Sequence, residues 1–384
     1  MEMKCKLSDI CEYRKGKVNT SNLTLKTYIS TENMLPDKAG VVEANSLPST
    51  TLVQEYKEHD TLVSNIRPYF KKVWQAKHDG GCSNDVLVFQ GNLNVDKDFL
   101  YYILANDDFF AYSMATSKGT KMPRGDKKSI MQYELQLFDI KIQKKIVSIL
   151  KLLDKKIELN NAINNNLEYQ AEALFHSLFV ENVNPIWKDG VLSDLGTIVA
   201  GGTPSKTKPE YYSEKGIAWI TPKDLSLNKS KFISHGEIDI SELGFSKSSA
   251  TKMPTGTVLF SSRAPIGYIA IAANEVTTNQ GFKSVVPNEN VGTVFIYYLL
   301  KFLLPTIEGM ASGSTFKEIS GAGMKSVPVV IPDNETIDKF NAFCTPIFQQ
   351  QEVLEAENSR LVDIIDALLP KLISGELDVS DIEL

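Results

Sequence analysis

Two stretches of the chain place apolar side chains at a helical period sustained over nearly forty residues. Across residues 141–180, Ile146, Leu150, Leu153, Ile157, Leu167, Ala171, Leu174 and Leu178 advance in alternating steps of four and three. Asn160 and Asn164 occupy the intervening seam positions. Across residues 334–373, Phe340, Cys344, Ile347, Leu354, Leu361, Ile365, Leu368 and Leu372 follow the same alternation, with Gln351 and Asn358 polar. A repeat of 3.5 residues is that of a coiled-coil seam, where a buried Asn fixes register at a cost in stability. At 1.5 Å per residue each helix reaches about 60 Å, longer than a domain of this size is wide. The pattern predicts that the two helices pair antiparallel, with Asn164 and Asn358 in or beside their interface. The plainer alternative is two amphipathic helices, each packed on its own domain.

The segments between the helices read differently. Asp60–Ile66, Val86–Phe89, Thr257–Phe260, Tyr268–Ala272 and Val327–Ile331 are short apolar runs bounded by Gly, Pro, Asn and Ser, which predicts strands. Phe99–Asn106 and Val294–Leu304 predict short helices.

The chain also repeats itself. Leu7-Ser8-Asp9-Ile10 recurs as Leu192-Ser193-Asp194-Leu195, and Phe99-Leu100-Tyr101-Tyr102-Ile103-Leu104 as Phe295-Ile296-Tyr297-Tyr298-Leu299-Leu300. Ala115-Thr116-Ser117 with Lys121 recurs as Ala311-Ser312-Gly313 with Lys317. Leu167, Ala173 and Leu174 recur as Leu361, Ala367 and Leu368. Four matches in one order predict a tandem repeat of domain plus long helix. The expected fold class is α+β: two mixed domains separated by two long helices in an antiparallel coiled coil, with a pseudo-two-fold axis. The boundaries are 1–140 and 181–333 for the domains, 141–180 for the first helix, and 334–384 for the second helix and tail. Such a rod suits a duplex read at two separated sites.

A net charge of −6 argues against a DNA binder until it is divided along the chain. Residues 334–384 hold 3 basic and 11 acidic side chains, whereas 1–140 hold 18 of each, 141–180 hold 6 and 4, and 181–333 hold 14 of each. The excess acid therefore lies in the last segment, and basic faces remain open to the two domains. Cys5, Cys11, Cys82 and Cys344 show no CxxC spacing and read as reduced thiols of a cytoplasmic protein. The charged start at Met1–Ile10 predicts no signal peptide. The most apolar run, Phe295–Leu304, is broken by Lys301, so no membrane span is expected.

The helical stretch Lys144-Lys145-Ile146-Val147-Ser148-Ile149-Leu150-Lys151-Leu152-Leu153-Asp154-Lys155-Lys156-Ile157-Glu158-Leu159-Asn160 resembles the central conserved region of type I restriction-modification specificity subunits. Leu368-Leu369-Pro370-Lys371-Leu372-Ile373-Ser374-Gly375-Glu376-Leu377 resembles the end of their distal conserved region. Leu192-Ser193-Asp194-Leu195 with Gly201-Gly202-Thr203-Pro204-Ser205 resembles the opening of a target recognition domain, although the first half has Arg14-Lys15-Gly16-Lys17 at that place. The resemblance implies a non-catalytic subunit that reads a bipartite, asymmetric target in double-stranded DNA, one half-site per domain. It implies docking of two methylation subunits, which carry S-adenosylmethionine, and of motor-nuclease restriction subunits. It implies no cofactor in this chain.

Other chemical motifs in the chain are incomplete. Asn184-Pro185-Ile186-Trp187 lacks the second proline of an adenine-methyltransferase motif, and reads as a turn. Gly201–Thr207 lacks the glycine that a phosphate-binding loop needs before its lysine, although it can offer N–H groups and Lys206 to a DNA phosphate. His59, His78, His176 and His235 have no ligand spacing, and no metal site is expected. Asp107-Asp108 suggests a nuclease only by residue type. Asp333 reads as an N-cap.

For DNA, the candidates in the first half are Arg67, Lys71, Lys72, Lys118, Lys121 and Arg124. In the second they are Thr203, Ser205, Lys206, Arg263, Asn279, Gln280 and Lys317. Arginine suits a bidentate guanine contact, lysine a phosphate and an amide an adenine. Arg67 and Arg263 are expected at equivalent places of the repeat. A methyltransferase or nuclease with its own site, and a protein scaffold that reads no DNA, remain the alternatives.

Overall fold

The computed structural model describes residues 3–313 and 317–382. Its contacts define two compact units, Met1–Ile157 with Arg360–Leu384, and Glu158–Ser359. Each takes one globular segment and a part of both long helices. Those helices run Ile140–His176 and Asn334–Ser374, as the seam period predicts, and the first ends in a wider helical turn over Ser177–Glu181.

In the first unit, Met3–Lys6 pairs antiparallel with Glu134–Leu137, tying the start of the domain to its end. One four-stranded sheet runs Cys11–Tyr13, Val86–Gly91, Thr61–Ser64, Val73–Gln75, all antiparallel. A second runs Lys17–Asn19, Leu52–Tyr56, Gly80–Cys82, Tyr28–Ile29, with its last pair parallel. The helix Lys97–Ala105 buries Phe99, Leu100 and Ile103 in a core with Phe89 and Phe109. Ile146 and Leu150 of the first long helix enter this core together with Leu369, Leu372 and Ile373 of the second. Burying such side chains is worth roughly 1.5–3 kcal/mol each, enough to dock the helices.

The second unit repeats the plan. Lys188–Val191 pairs with Pro328–Ile331. A five-stranded sheet runs Gly196–Ala200, Lys283–Pro287, Val258–Ser262, Ile266–Ala272, Phe232–Ile233. The helix Thr293–Met310 is longer than the predicted run. By length and composition it could cross a membrane. However, Phe295, Ile296, Tyr298, Leu300 and Ile307 lie in this unit's core with Phe175 and Phe340, and Lys301 pairs with Glu168 and Glu172.

The repeat extends to single hydrogen bonds. Asn92 donates its side-chain amide to Asp9 O at 2.7 Å, and Asn288 does so to Asp194 O at 2.9 Å. The Lys6 N–H donates to the Asp9 carboxylate and the Val191 N–H to that of Asp194, each at 2.8 Å. Leu-Ser-Asp-(Ile/Leu) is thus a short helical turn closed by its own aspartate, in both copies.

The seam residues Ile146, Leu150, Phe340, Cys344, Ile347, Gln351, Leu354 and Leu372 are buried, and Leu153, Ile157, Leu167, Leu174, Leu361 and Leu368 partly so. Within the second unit the helices run antiparallel. Asn160 Nδ2 donates to Asn358 Oδ1 at 2.9 Å, and Gln351 Nε2 donates to Asn164 O at 3.1 Å. Asn164 and Asn358 thus both lie at the helix–helix contact, as expected, Asn358 opposite Asn160 and Asn164 opposite Gln351, and the side-chain oxygens of Asn160 and Asn164 are buried without a hydrogen-bond partner.

Candidate nucleic-acid interface

In the first unit, two segments singled out in the sequence meet. Lys118 and Arg124 bridge across a turn, and Arg124 bridges Ile66. The Arg67 N–H donates to Pro123 O at 2.8 Å, and the Gly125 N–H to Asn65 O at 3.1 Å. The crossing gathers Arg67, Lys118, Lys121 and Arg124, all exposed, in the loops just beyond the strand Thr61–Ser64. Lys118 pairs with Asp126 at 2.5 Å and Arg124 with Asp85 at 3.2 Å. Lys71 and Lys72 are already engaged. Lys71 pairs with Asp107 at 2.7 Å, and Lys72 donates to Thr31 O at 2.7 Å, where burial lowers its pKa. Burial pushes the Asp107 carboxyl up, but Lys71 and Lys38 together hold it below its ordinary value. Asp107 is therefore a partner of lysines.

The second unit makes the same crossing with other residues. Ser312 bridges Glu318, and Glu318 bridges Arg263. The Ile319 N–H donates to Ser262 O at 3.1 Å, the counterpart of the Gly125 bond to Asn65. Asn65 N–H donates to Asp85 O, and Ser262 N–H to Gly281 O. These pairings equate Asn65 with Ser262, Ile66 with Arg263 and Arg67 with Ala264. Arg67 and Ala264 also share positive φ values of 50° and 55°. The expected equivalence of Arg67 and Arg263 is thus corrected by one residue. A one-residue slip changes the direction of the side chain, and Arg263 instead pairs with Glu318 at 3.3 Å.

Of the other second-half candidates, Thr203, Asn279 and Gln280 are linked toward Arg263 through Lys283 and Glu318. The Gln280 N–H donates to Thr203 Oγ1 at 3.4 Å. Lys283 is buried, donates to Gln280 O at 3.4 Å and lies 3.8 Å from Glu318. Burial, reinforced by Arg263, lowers its pKa against the pull of Glu318. Asn279 accepts from the Gly281 N–H at 2.8 Å, while Gln280 is exposed. The loop at Gly201–Gly202 fits only because both are glycine. A Cβ at Gly201 would lie 1.9 Å from Asn279 O, and one at Gly202 2.3 Å from Ala250 N. Ser205 and Lys206 extend from it, exposed, and Ser205 bonds Thr207 at 2.9 Å. Lys317, also exposed, follows the three residues that lie outside the description. At the corresponding place of the first unit, Arg14 is spent on an ion pair with Asp60 and lies 3.9 Å from Glu55.

Asn184–Trp187 forms a turn in which the Trp187 indole donates to Asp333 Oδ2 at 2.7 Å, while Asp333 Oδ1 accepts from the Thr336 N–H at 2.9 Å. The motif therefore secures the start of the second long helix. Among the described residues no three His, Cys, Asp or Glu side chains gather as metal ligands.

The family described as type I restriction modification DNA specificity domain matches the chain twice, over residues 2–169 and 186–356. The chain belongs to this family. Each match contains one of the two strand-and-turn crossings. Among relatives, the type I restriction enzyme MjaIX specificity subunit of Methanocaldococcus jannaschii is 37% identical over 175 residues, 45% of this chain and 40% of that one. The chain thus spans well under two thirds of that relative. The type I restriction enzyme HindI specificity subunit of Haemophilus influenzae is 25% identical across 97% of this chain and all of its own length. The crystal structure of the type I restriction-modification S subunit from M. genitalium has the same fold, with a TM-score of 0.60 at 17% identity, covering 99% of this chain and 97% of that one.

Sequence reasoning missed one cluster in this specificity-domain protein. Lys231 is buried, with its ammonium on Glu168 and 2.7 Å from Gln351 Oε1, over the rings of Phe348 at 4.1 Å and Tyr297 at 4.9 Å. The N–H groups of Lys231 and Phe232 donate to the two oxygens of Glu355 at 3.0 and 3.1 Å. This fixes the edge strand Phe232–Ile233 to both long helices within the unit. In the sequence Lys231 belongs to a polar, lysine-bearing stretch that reads as solvated.

Proposed function

We propose that this chain is the DNA-sequence-reading subunit of a type I restriction-modification complex, and that it catalyses nothing itself. The observation that carries the reading is the double family match, each copy holding a basic, loop-built crossing on a strand of its own sheet. Each domain reads one half of a bipartite target, and the two half-sites differ because the crossings differ: Arg67, Lys121 and Arg124 in the first, Arg263, Gln280 and Lys206 in the second. The long helices form an antiparallel coiled coil with an approximate two-fold axis, and set the unread spacer between half-sites. Two methylation subunits, holding S-adenosylmethionine, and restriction subunits dock on the chain. Exposed apolar side chains on the helices support a docking role: Leu152 in the first unit, and Leu159, Ile163 and Val353 in the second. Full-length chain titrated with duplex DNA across salt tests the reading. Affinity should fall steeply as salt rises, with a preferred sequence at constant salt. Salt-independent or absent binding would leave a protein scaffold instead.

A further inference from the structure

Six non-glycine residues have positive φ among those described, and four of them belong to two turns that meet. Asp37 and Lys38 lie at 52° and 63°, Arg67 and Lys71 at 50° and 48°. The Asp37 N–H donates to Phe70 O at 2.9 Å and the Lys38 N–H to Lys71 O at 3.0 Å, so the two turns are back to back. Backbone in this region costs of order 1–3 kcal/mol per residue, and persists only where the surroundings impose it.

The surroundings here are a brace. Lys38 reaches Asp107 and Asp366, both at 3.0 Å, and Lys71 reaches Asp107 at 2.7 Å. Asp366 is on the second long helix and belongs to the same unit. Held above this brace is the one-turn segment Pro68–Phe70. Its Tyr69 and Phe70 rings lie 4.7 Å apart and are 48% and 38% exposed, beside an exposed Arg67. The turn thus presents two adjoining rings and a guanidinium to solvent, the side-chain types that contact a thymine methyl group and a guanine edge.

The second unit keeps only part of this arrangement. At the equivalent place Ala264 has the positive φ, but Ala264-Pro265 leads directly into the strand Ile266–Ala272. The one-turn segment, the arginine and the rings therefore belong to the first copy.

We propose that the braced double turn is the base-reading head of the first domain, with the Arg67 guanidinium on a guanine edge and the Tyr69–Phe70 pair on the methyl group of a neighbouring thymine. This rests on the reading of the chain as a DNA-specificity subunit. Arginine is the bidentate partner of guanine O6 and N7, and an apolar ring is the partner of the thymine methyl. The brace removes the entropy that a free loop would lose on ordering.

The test selects duplexes from a randomised pool with the full-length chain, then compares variants on the selected sequence. Wild type should enrich a motif with a G·C pair beside a thymine in one half-site. Uracil in place of that thymine, which removes only the methyl group, should weaken wild type about fourfold. It should leave the Tyr69→Ser/Phe70→Ser variant unaffected. Arg67→Lys, which keeps the charge and loses the fork, should lower the preference for that G·C pair about tenfold or more, with the other half-site unchanged. If the double variant melts early, the uracil comparison on wild type and the Arg67→Lys arm still decide. An unchanged motif with Arg67→Lys, or wild type indifferent to uracil throughout, overturns the proposal while the DNA reading stands. Absence of any wild-type motif overturns both.

Discussion

Asn160 Nδ2 is shared between Asn358 Oδ1 at 2.9 Å and Glu357 Oε2 at 2.8 Å, and Asn358 in turn donates to Asn161 at 2.8 Å. This polar contact lies at a buried position of a seam that carries a second one, Gln351 on Asn164, between its apolar stretches. A buried polar residue of this kind specifies register, because a shifted pairing would leave it unpaired.

Asn160→Asp should place a second carboxylate against Glu357. Like charge and burial both raise the pKa of the introduced group, so the folded state binds its proton more tightly than the unfolded state does. Stability should fall by about 2–4 kcal/mol at pH 7 and recover as pH is lowered through that raised pKa. Thermal melts of variant and wild type between pH 4 and 8 check this, and parallel curves would refute it.

Glu168 gives the opposite pH dependence. Burial acts to raise its pKa, but Lys231 and Lys301 bring it down to about 2 from an ordinary 4.5. Its contribution is therefore complete above about pH 4.5 and is lost as pH falls toward 2, worth at most about 3 kcal/mol. Burial lowers the pKa of Lys231 despite Glu168, and raises that of Glu355 despite its two N–H donors. Glu168 is thus the nearest charge offsetting the burial of Lys231. Glu168→Gln should cost about 3–5 kcal/mol at pH 7, and adding Lys231→Met should restore most of it. Denaturant melts of the single and double variants measure this coupling.

How much of this was legible in the sequence depends on length of pattern. The long helices carry their seam through nearly forty residues, so Ile140–His176 and Asn334–Ser374 follow from period alone. Strands such as Tyr28–Ile29 and Tyr212–Ser213 are two residues long and hold no period to read. Register was harder than existence. Asn358 meets Asn160 because an antiparallel pair places opposite one another residues that a repeat alignment does not equate. Arg67-Pro68 and Arg263-Ala264-Pro265 look alike in sequence, but the inter-strand hydrogen bonds place Arg263 one residue earlier than Arg67. Lys231 and Glu168 are 63 residues apart, and no local signal joins them.

The glycine loop of the second domain should tolerate no side chain. Gly201→Ala drives a Cβ into Asn279 O, so the loop must move away from Asn279 and Gln280. A loss of about 1–3 kcal/mol is expected, with weakened reading of one half-site only. A melt and a binding selection on the same variant check both parts.

Glu318 holds back two cations, Arg263 at 3.3 Å and Lys283 at 3.8 Å. Glu318→Gln should therefore raise affinity for any duplex and steepen the salt slope by about one. Unchanged affinity and slope would place Arg263 away from the DNA.

On the proposed function, one chain reads two separated DNA segments. Duplexes selected from a random pool by the chain decide this, in wild type and in a variant lacking one heptad of the first long helix. Removing seven residues shortens a helix by about 10 Å, or roughly three base pairs of duplex. Two separated reading sites require a two-part motif whose half-sites keep their sequence while the unread spacer changes. A single contiguous motif, or half-site bases that change while the spacer stays constant, would contradict it.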